Sequence, residues 1–488
     1  MSKGDKFKIK RISAFKEEYM LIIFSILLYL ELDNYLKLSS TYNPNVVANS
    51  IEYVITFLAL ACLYFPKKIN LNQKIIIIGS ALIFRLRALF FIPVLTSDLH
   101  RNLLFGSVLT DGYNPYLWTI QKLLLLIQNG LLIKVSYTQQ WATHSFDYPS
   151  LAILFFALIT YLVPADNFSA FFLAKLVLML VDILNAYLIY RILIVHFHLN
   201  EASKKTALLY LINPLSIFWV NIEGQFESIP LFFILASFYF LFYLKPNENE
   251  VNNTIKFFNL NLKKDYLPYI IGFLIACGVL FKYFPLIFVI PIVFYFGKRF
   301  MYTFNFIVSM IISIIFFSFP FLENSFYVSN FILFQITRNN NSISDANFSI
   351  GFGITIPVFI LLTVFIGIAF VISLRKKYDK KIQTSILGVF SMYLFIYLNN
   401  SIFSWYVIWI FGSLFFINTQ YDDFFNSLLW VISLVILIFI WKAEYIYLII
   451  PIIIVSYIIT LERVRLFLKR VIFSIFPAKD TTKTAIKI

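Results

Sequence analysis

Charged residues are scarce in this chain. Asp, Glu, Lys and Arg together make up 13% of its 488 residues, whereas hydrophobic residues make up 60%. Apolar runs of roughly 17–25 residues recur from one end of the sequence to the other, and each is long enough to cross the hydrocarbon core of a bilayer. No soluble domain of this length has such a composition, and the shorter alternating segments of a β-barrel are missing. The composition predicts an all-α polytopic membrane protein.

Cysteine and histidine are also rare. The two cysteines, Cys62 and Cys277, both lie in apolar segments, where a small buried hydrophobic side chain is favoured over a redox or metal role. The four histidines show no zinc-ligand spacing. The net charge of +15 comes from Lys and Arg at the ends of apolar runs, which is typical of cytoplasmic loops and not of nucleic-acid binding.

The apolar runs predict about 12–14 transmembrane helices. The candidate spans are residues 17–33, 49–66, 74–95, 168–194, 205–221, 228–244, 266–283, 284–297, 300–319, 352–374, 382–400, 404–419, 424–441 and 444–461. Residues 1–73 hold two N-terminal spans, residues 74–300 form the predicted main module, and residues 301–488 form a C-terminal module. Asn213-Pro214 falls inside the 205–221 span, where proline is expected to kink the helix.

The basic loops give the predicted orientation. Pairs such as Lys204-Lys205, Lys263-Lys264 and Lys298-Arg299 belong on the cytoplasmic side, which places the loops 96–167 and 320–351 outside and both termini inside. Segment 149–163 is apolar enough to count as a span, but a crossing there would move Lys204-Lys205 outside. We therefore interpret it as a helix lying on the outer surface, within a large outer loop.

Most of the unusual polar residues then fall on the outer side. Asp98 directly follows a predicted span, and it is either a helix N-cap or a general base that removes a proton from a hydroxyl. Arg101 lies three residues later on the same helix face, where it suits an ion pair with Asp98 and also a phosphate clamp. Lys175 and Asp182, seven residues apart on one span, are expected to form a buried ion pair.

Further candidate residues are spread over the outer loops. Expected phosphate contacts are His144 and Lys282, although Lys282 also suits snorkelling at the interface. Expected substrate contacts are Asp111, Tyr113, Asn114, Tyr116, Asp147, Tyr148, Gln225, Glu227, Trp405 and Tyr406. Purely structural alternatives stay open for these residues. Asp111 to Tyr116 also suits a plain turn, Asp147 also suits a helix cap, and Trp405-Tyr406 also suits an aromatic belt.

Taken in order, these segments resemble the GT-C superfamily of membrane glycosyltransferases, and in particular the polyprenyl-phosphate-mannose-dependent mannosyltransferases. The resemblance rests on five stretches spread over residues 75–460. They are Ser97-Asp98-Leu99-His100-Arg101 with Gly112 to Tyr116, Asp147-Tyr148-Pro149-Ser150-Leu151, Asn213-Pro214-Leu215 with Gly224 to Glu227, Phe281 to Pro285, and Ser404-Trp405-Tyr406.

The resemblance implies a GT-C fold and an inverting transfer of a hexose, with mannose expected, from a polyprenyl or dolichyl phosphate to a glycan or glycolipid on the outer face. Asp98 would be the base. The second acid that relatives often carry shortly after the arginine is missing, since Asn102 to Gly106 contains none. A divalent metal stays an open alternative that no second acid supports, and the motifs establish no cofactor. We expect a location in the plasma membrane of a prokaryote.

Two other classes stay open. A polytopic transporter or lipid flippase would share the apolar spans, although such proteins often contain internal repeats, which this sequence lacks. A non-catalytic subunit of GT-C type would share the motifs but not the reaction.

Overall fold

The computed structural model describes the centre of the chain. The described residues are 71–91, 93, 98–117, 119, 121–122, 145–163, 167–211, 213, 216–244, 254–257, 260–321, 347–350, 354–357, 380–381, 383–385, 387–388 and 391. The predicted spans before residue 71 and after residue 400 lie outside them, as do His144, Trp405 and Tyr406.

The described residues are mainly helical, as the composition predicts. The α-helices are α1 (Leu71–Ala88), α2 (Asp98–Thr110), α3 (Ser150–Leu162), α4 (Asn167–His196), α5 (Asn200–Leu211), α6 (Ser228–Leu241), α7 (Leu267–Phe281), α8 (Val289–Phe296) and α9 (Phe300–Ser318). A π-helix covers Ile217–Ile222, and short 3-10 helices cover Lys264–Tyr266, Phe284–Phe288 and Phe319–Phe321.

Three stretches in the described part are long and apolar enough to cross a membrane: Phe168–His196, Lys264–Phe281 and Phe300–Phe321. Their outward faces carry exposed apolar side chains such as Leu180 and Phe316, which suits contact with lipid. Helix α3 is apolar but has only 13 residues. Its length of about 20 Å falls short of the hydrocarbon core of about 30 Å. The number of spans and the surface position of α3 stay predictions.

Helix α6 lies at the centre of the helices that the structure describes. It packs between α4 and α7, and α9 packs on the other side of α7. Almost all of its side chains are buried, from Ser228 to Leu241, as expected for a helix that is apolar on every face. Helices α2 and α3 pack against each other, and α3 reaches α7 and α4. This arrangement brings the loop helices to the end of α6 that begins at Ser228.

A buried polar cluster joins four elements of the bundle. Arg85 of α1 forms a salt bridge of 2.7 Å with Asp182 of α4, and Tyr210 of α5 donates a hydrogen bond of 2.8 Å to the same carboxylate. The Ser216 hydroxyl also donates to Asp182. A carboxylate inside an apolar helix requires such partners, because its desolvation is costly.

The expected pairing of Lys175 with Asp182 is therefore wrong. Lys175 instead donates to the backbone carbonyls of Ala88 and Phe91, where α1 ends. A cation at a helix C-terminus satisfies carbonyls that have no partner within the helix. Charge and spacing on one helix predicted the pair, but the neighbouring helix supplied a better partner for each residue.

Two further sequence predictions need correction. The 205–221 span is not one kinked helix: α5 ends at Leu211, before Pro214, and the chain continues as the π-helix. The predicted 352–374 span is wrong at its start, because Ile354–Pro357 is strand β4, which pairs antiparallel with strand β3 (Asn347–Ile350). A second hairpin, β1 (Thr254–Phe257) with β2 (Leu260–Lys263), connects α6 to α7. The described fold is thus helical with two short hairpins.

Candidate functional site

Asp98 is the first residue of α2, and its carboxylate faces the turn that follows the π-helix. The side-chain amide of Gln225 donates a hydrogen bond of 3.0 Å to Asp98 Oδ2. The Asp98 side chain keeps 16% of its surface exposed, whereas Gln225 is buried. A carboxylate is favoured at a helix N-terminus by the helix dipole. The carboxylate is therefore held in one orientation and still reachable.

Arg101 lies one turn along α2 between two carboxylates. Its Nη2 atom is 3.6 Å from Asp98 Oδ1 and 3.5 Å from Asp147 Oδ1. Burial acts to lower the pKa of Arg101, but the charges of Asp147 and Asp98 outweigh it and hold the pKa above its ordinary value. Both separations exceed the 2.7–2.9 Å that is usual for a charge-assisted hydrogen bond. The guanidinium is thus a permanent buried cation in loose ion pairs.

The turn from Glu223 to Glu227 depends on a glycine. Gly224 has φ +71°, a left-handed conformation that favours glycine, and the Leu99 side chain of α2 occupies the space where a Cβ would stand. The backbone N–H of Gln225 donates to the carbonyl of Trp219 at 2.8 Å and anchors the turn on the π-helix. The absent side chain therefore lets the start of α2 rest directly against the turn.

A second ion pair, between Glu227 and Lys282, lies next to this turn. The Lys282 ammonium donates to Glu227 Oε1, and the side chains of the two residues are 10% and 0% exposed respectively. Lys282 terminates α7 in an extended conformation, with φ −158° and ψ 136°. This break turns its side chain towards the end of α6, where Glu227 is the N-cap residue. The pair joins α7 to the turn.

Tyr148 contacts both cations. Its ring centre is 5.6 Å from Arg101 Cζ and 5.4 Å from Lys282 Nζ, which are cation–π distances. The ring also packs edge-on against Phe226 at 4.9 Å. Its backbone carbonyl accepts a hydrogen bond of 2.9 Å from the Tyr116 hydroxyl. Both cations thus contact the same aromatic ring, whose backbone is anchored by Tyr116.

The structure brings together seven of the predicted site residues, which we call the acidic cluster: Asp98, Arg101, Asp147, Tyr148, Gln225, Glu227 and Lys282. It contains three carboxylates and two cations. Asp147 does not cap α3, because the N-cap residue there is Pro149. Asp147 instead lies beside Arg101 as a second carboxylate. The residues that directly follow Arg101 in the sequence contain no acid.

Other predicted contacts lie elsewhere. Asp111, Tyr113 and Asn114 follow the far end of α2, about 18 Å along the helix from Asp98. Asp111 and Tyr113 are exposed, and the Asn114 side chain accepts the N–H of Tyr116 at 3.0 Å, as in an ordinary turn. Tyr116 is buried, and its hydroxyl donates to the backbone carbonyl of Tyr148.

Several contacts were not predicted. The roles of Phe226 and Leu99 depend on the way the turn meets α2, which no short motif indicates. His100 lies edge-on against Phe171 of α4 at 4.5 Å, and burial lowers its pKa to about 4. The Arg85–Asp182 pair had a signal in the sequence, since ionisable residues within apolar spans generally require partners. The sequence did not indicate which partner.

The described residues contain no group of three His, Cys, Asp or Glu side chains that could hold a metal ion. What the acidic cluster offers is an oriented carboxylate, a neighbouring guanidinium and an aromatic wall. Comparisons with protein-family models, curated proteins and solved structures find no match to this chain.

Proposed function

We propose that this chain is a membrane glycosyltransferase of GT-C type. It moves a hexose, with mannose as the first candidate, from a polyprenyl or dolichyl phosphate to a hydroxyl of a glycan or glycolipid on the outer face. The observation that carries the proposal is the closeness of an oriented carboxylate and a buried cation at the start of α2. Asp98, oriented by Gln225, lies one helical turn from the cation Arg101.

The reaction requires a base and a cation close together. The acceptor oxygen bonds to the anomeric carbon from the face opposite the phosphate, while the bond from that carbon to the phosphate oxygen breaks. The acceptor proton passes to Asp98, and the electron pair of the broken bond leaves with the polyprenyl phosphate. Attack from the opposite face inverts the anomeric configuration.

Arg101 supports the leaving group. The phosphate gains negative charge as the bond breaks, and a fixed guanidinium nearby stabilises that charge. The loose distances to Asp98 and Asp147 favour exchange of carboxylate for phosphate at Arg101. The bilayer would retain the polyprenyl tail and so keep the phosphate at this level, which raises its effective concentration.

Lys282 and Glu227 have a different proposed role from the one that the sequence suggested. Their mutual ion pair neutralises the ammonium and the carboxylate within the bundle. We assign the pair to holding the turn that carries Gln225. Direct contact with sugar hydroxyls falls to Asp147 and to Tyr148, at the side of the cluster next to Arg101.

A transfer assay tests the proposal. Purified protein is incubated with radiolabelled polyprenyl-phosphate mannose or glucose and a membrane extract as acceptor. We expect transfer by the wild type and a loss of about 10²–10⁴-fold for Asp98→Asn, the range for removal of a general base. Asp111→Asn is the matched control, since it removes a carboxylate from the exposed end of the same helix. It should retain wild-type activity.

The other outcomes are informative. Equal transfer by wild type and Asp98→Asn would reject Asp98 as the base. Wild-type protein that transfers neither sugar, but moves polyprenyl-phosphate sugar across proteoliposomes, would favour a transporter or flippase. Inactivity in both assays would favour a non-catalytic subunit.

A further inference from the structure

A second charged group lies at the opposite end of the bundle from the acidic cluster. Helix α4 is 30 residues, or about 45 Å, long. Phe171 in its first turns contacts His100 beside Asp98, while the carbonyl of His196 at its last residue accepts a hydrogen bond of 3.1 Å from Lys381. A helix of this length reaches the headgroup layers, since a bilayer with headgroups measures about 40–45 Å.

Lys380 is held beside a glycine at this end. Its ammonium is 2.8 Å from the point where a Cβ on Gly297 would stand, and 5.8 Å from the ring centre of Tyr295. Gly297 ends α8 with φ +62°, a conformation that L side chains rarely adopt. Only glycine both makes this turn and leaves space for the ammonium.

Arg299 brings a second cation to the same place. It follows Gly297 by two residues, and its guanidinium lies 5.2 Å from the ring centre of Tyr302. Burial, and after it the charge of Arg299, lowers the pKa of Lys380. Among the described residues, no carboxylate pairs with Lys380. Gly297 thus has one cation against it in space, Lys380, and a second two residues along the chain, Arg299.

We propose that Lys380 and Arg299 bind the phosphate of an anionic phospholipid headgroup. A guanidinium can contact phosphate oxygens with two parallel hydrogen bonds, and an ammonium adds a point charge. Basic pockets between helices at the membrane boundary suit this chemistry. The apolar, exposed faces of Phe300 and Phe304 on α9 lie alongside and offer a surface for acyl chains. The inference is independent of the proposed glycosyl transfer.

Lys381 provides a contrast within the same dipeptide. Its ammonium satisfies a carbonyl at the C-terminus of α4, where a cation is favoured by the helix dipole. Its role is therefore structural, and Lys381→Gln should lower the unfolding temperature without changing lipid binding. The double variant Lys380→Gln/Arg299→Gln should instead reduce lipid binding and leave the unfolding temperature of the lipid-free protein unchanged.

The experiment uses the full chain in detergent. Native mass spectrometry measures retained dioleoylphosphatidylglycerol against dioleoylphosphatidylcholine, and thermal unfolding is followed with each lipid and with inorganic phosphate. We expect selective retention of phosphatidylglycerol by the wild type and by Lys381→Gln. The Lys380→Gln/Arg299→Gln variant should lose at least about tenfold in retention, since the loss of a single charged hydrogen bond already corresponds to about that factor.

Equal retention by the double variant and the wild type would overturn the site. Stabilisation by inorganic phosphate equal to that by the lipid would overturn the lipid as occupant. Should the double variant fail to fold, a photoactivatable phosphatidylglycerol on the wild type decides: crosslinks in peptides carrying residues 295–302 or 380–381 support the proposal, and crosslinks only elsewhere refute it.

Discussion

Tyr148 is the residue at which the two cations of the acidic cluster come closest to a common partner. Arg101 and Lys282 both lie within cation–π distance of its ring, and each also pairs with a carboxylate. The ring attracts both charges, and the proposed roles differ: Arg101 for the leaving phosphate and Lys282 for the turn that carries Gln225. Residue-scale predictions therefore differ for the two cations.

The buried pair of Lys282 and Glu227 should show strong coupling in stability. Lys282→Met or Glu227→Gln alone leaves a buried charge without its partner, and each should lower stability by about 3–5 kcal/mol. The double variant should lose less than either single variant, because no lone charge remains. Thermal unfolding of the wild type, both single variants and the double variant in one detergent measures the coupling between the two side chains. Additive losses would contradict a functional ion pair at this position.

His100 should make stability depend on pH. Its folded pKa of about 4 lies below its usual 6.5, so the unfolded chain binds the proton first as the pH falls. The stability is intact above pH 6.5 and decreases between pH 6.5 and 4. His100→Gln should remove this part of the decrease, which is measured as the difference in unfolding temperature between wild type and variant across that range. Identical pH profiles would show that His100 has solvent access.

At the scale of elements, the important contact is the start of α2 against the turn from Glu223 to Glu227. Leu99 occupies the space that Gly224 leaves open, and Asp98 accepts the Gln225 amide beside it. The proposed base and the residue that orients it thus lie 127 positions apart in the sequence. The π-helix before the turn fits this view, since π-helical turns often occur at functional sites.

Gly224→Ala should separate α2 from the turn. The added methyl group meets Leu99 and also forces a left-handed conformation on alanine, which costs about 1–2 kcal/mol by itself. Gly112→Ala is the matched control, because Gly112 has φ +87° but nothing within 4 Å of a new Cβ. We expect Gly224→Ala to lose at least tenfold in transfer and Gly112→Ala to stay near wild type. Similar losses would point to backbone strain alone.

Element bounds were largely predictable where a helix is apolar along its whole length. The predicted spans 228–244, 266–283 and 300–319 correspond to α6, α7 and α9 within a few residues. The break after Leu211 and the hairpin at Asn347–Pro357 were not predicted. Hydropathy reports how apolar a segment is, but it does not report where proline or strand pairing interrupts a helix.

At the scale of the whole molecule, the two charged clusters lie at opposite ends of one helical bundle. Helix α4 connects them, with His100 packed near its start and Lys381 bonded to its last residue. This separation agrees with an acidic outer side and a basic inner side. We accordingly propose that the acidic cluster faces outward and that Lys298 faces the cytoplasm.

Labelling of single cysteines tests the orientation. In a chain with Cys62 and Cys277 replaced by Ala, Asp111→Cys and Lys298→Cys each add one thiol at an exposed position. A membrane-impermeant thiol reagent should label Asp111→Cys in intact cells and Lys298→Cys only after permeabilisation. Labelling of both in intact cells would place both ends of the bundle outside and would reject the proposed sidedness.

The sequence by itself determined the helical membrane character, the main spans and the set of polar residues that could act as a base or bind a charged group. Composition and periodicity are properties of the chain alone. The tertiary structure decided which of those residues meet. It placed Asp147 and Asp98 on one guanidinium, joined Lys282 to Glu227, gave Asp182 to Arg85 in place of Lys175, and left Asp111 at the far end of α2. A buried charge takes the partner that packing brings within reach, and that partner comes from another helix, which spacing along one helix does not reveal.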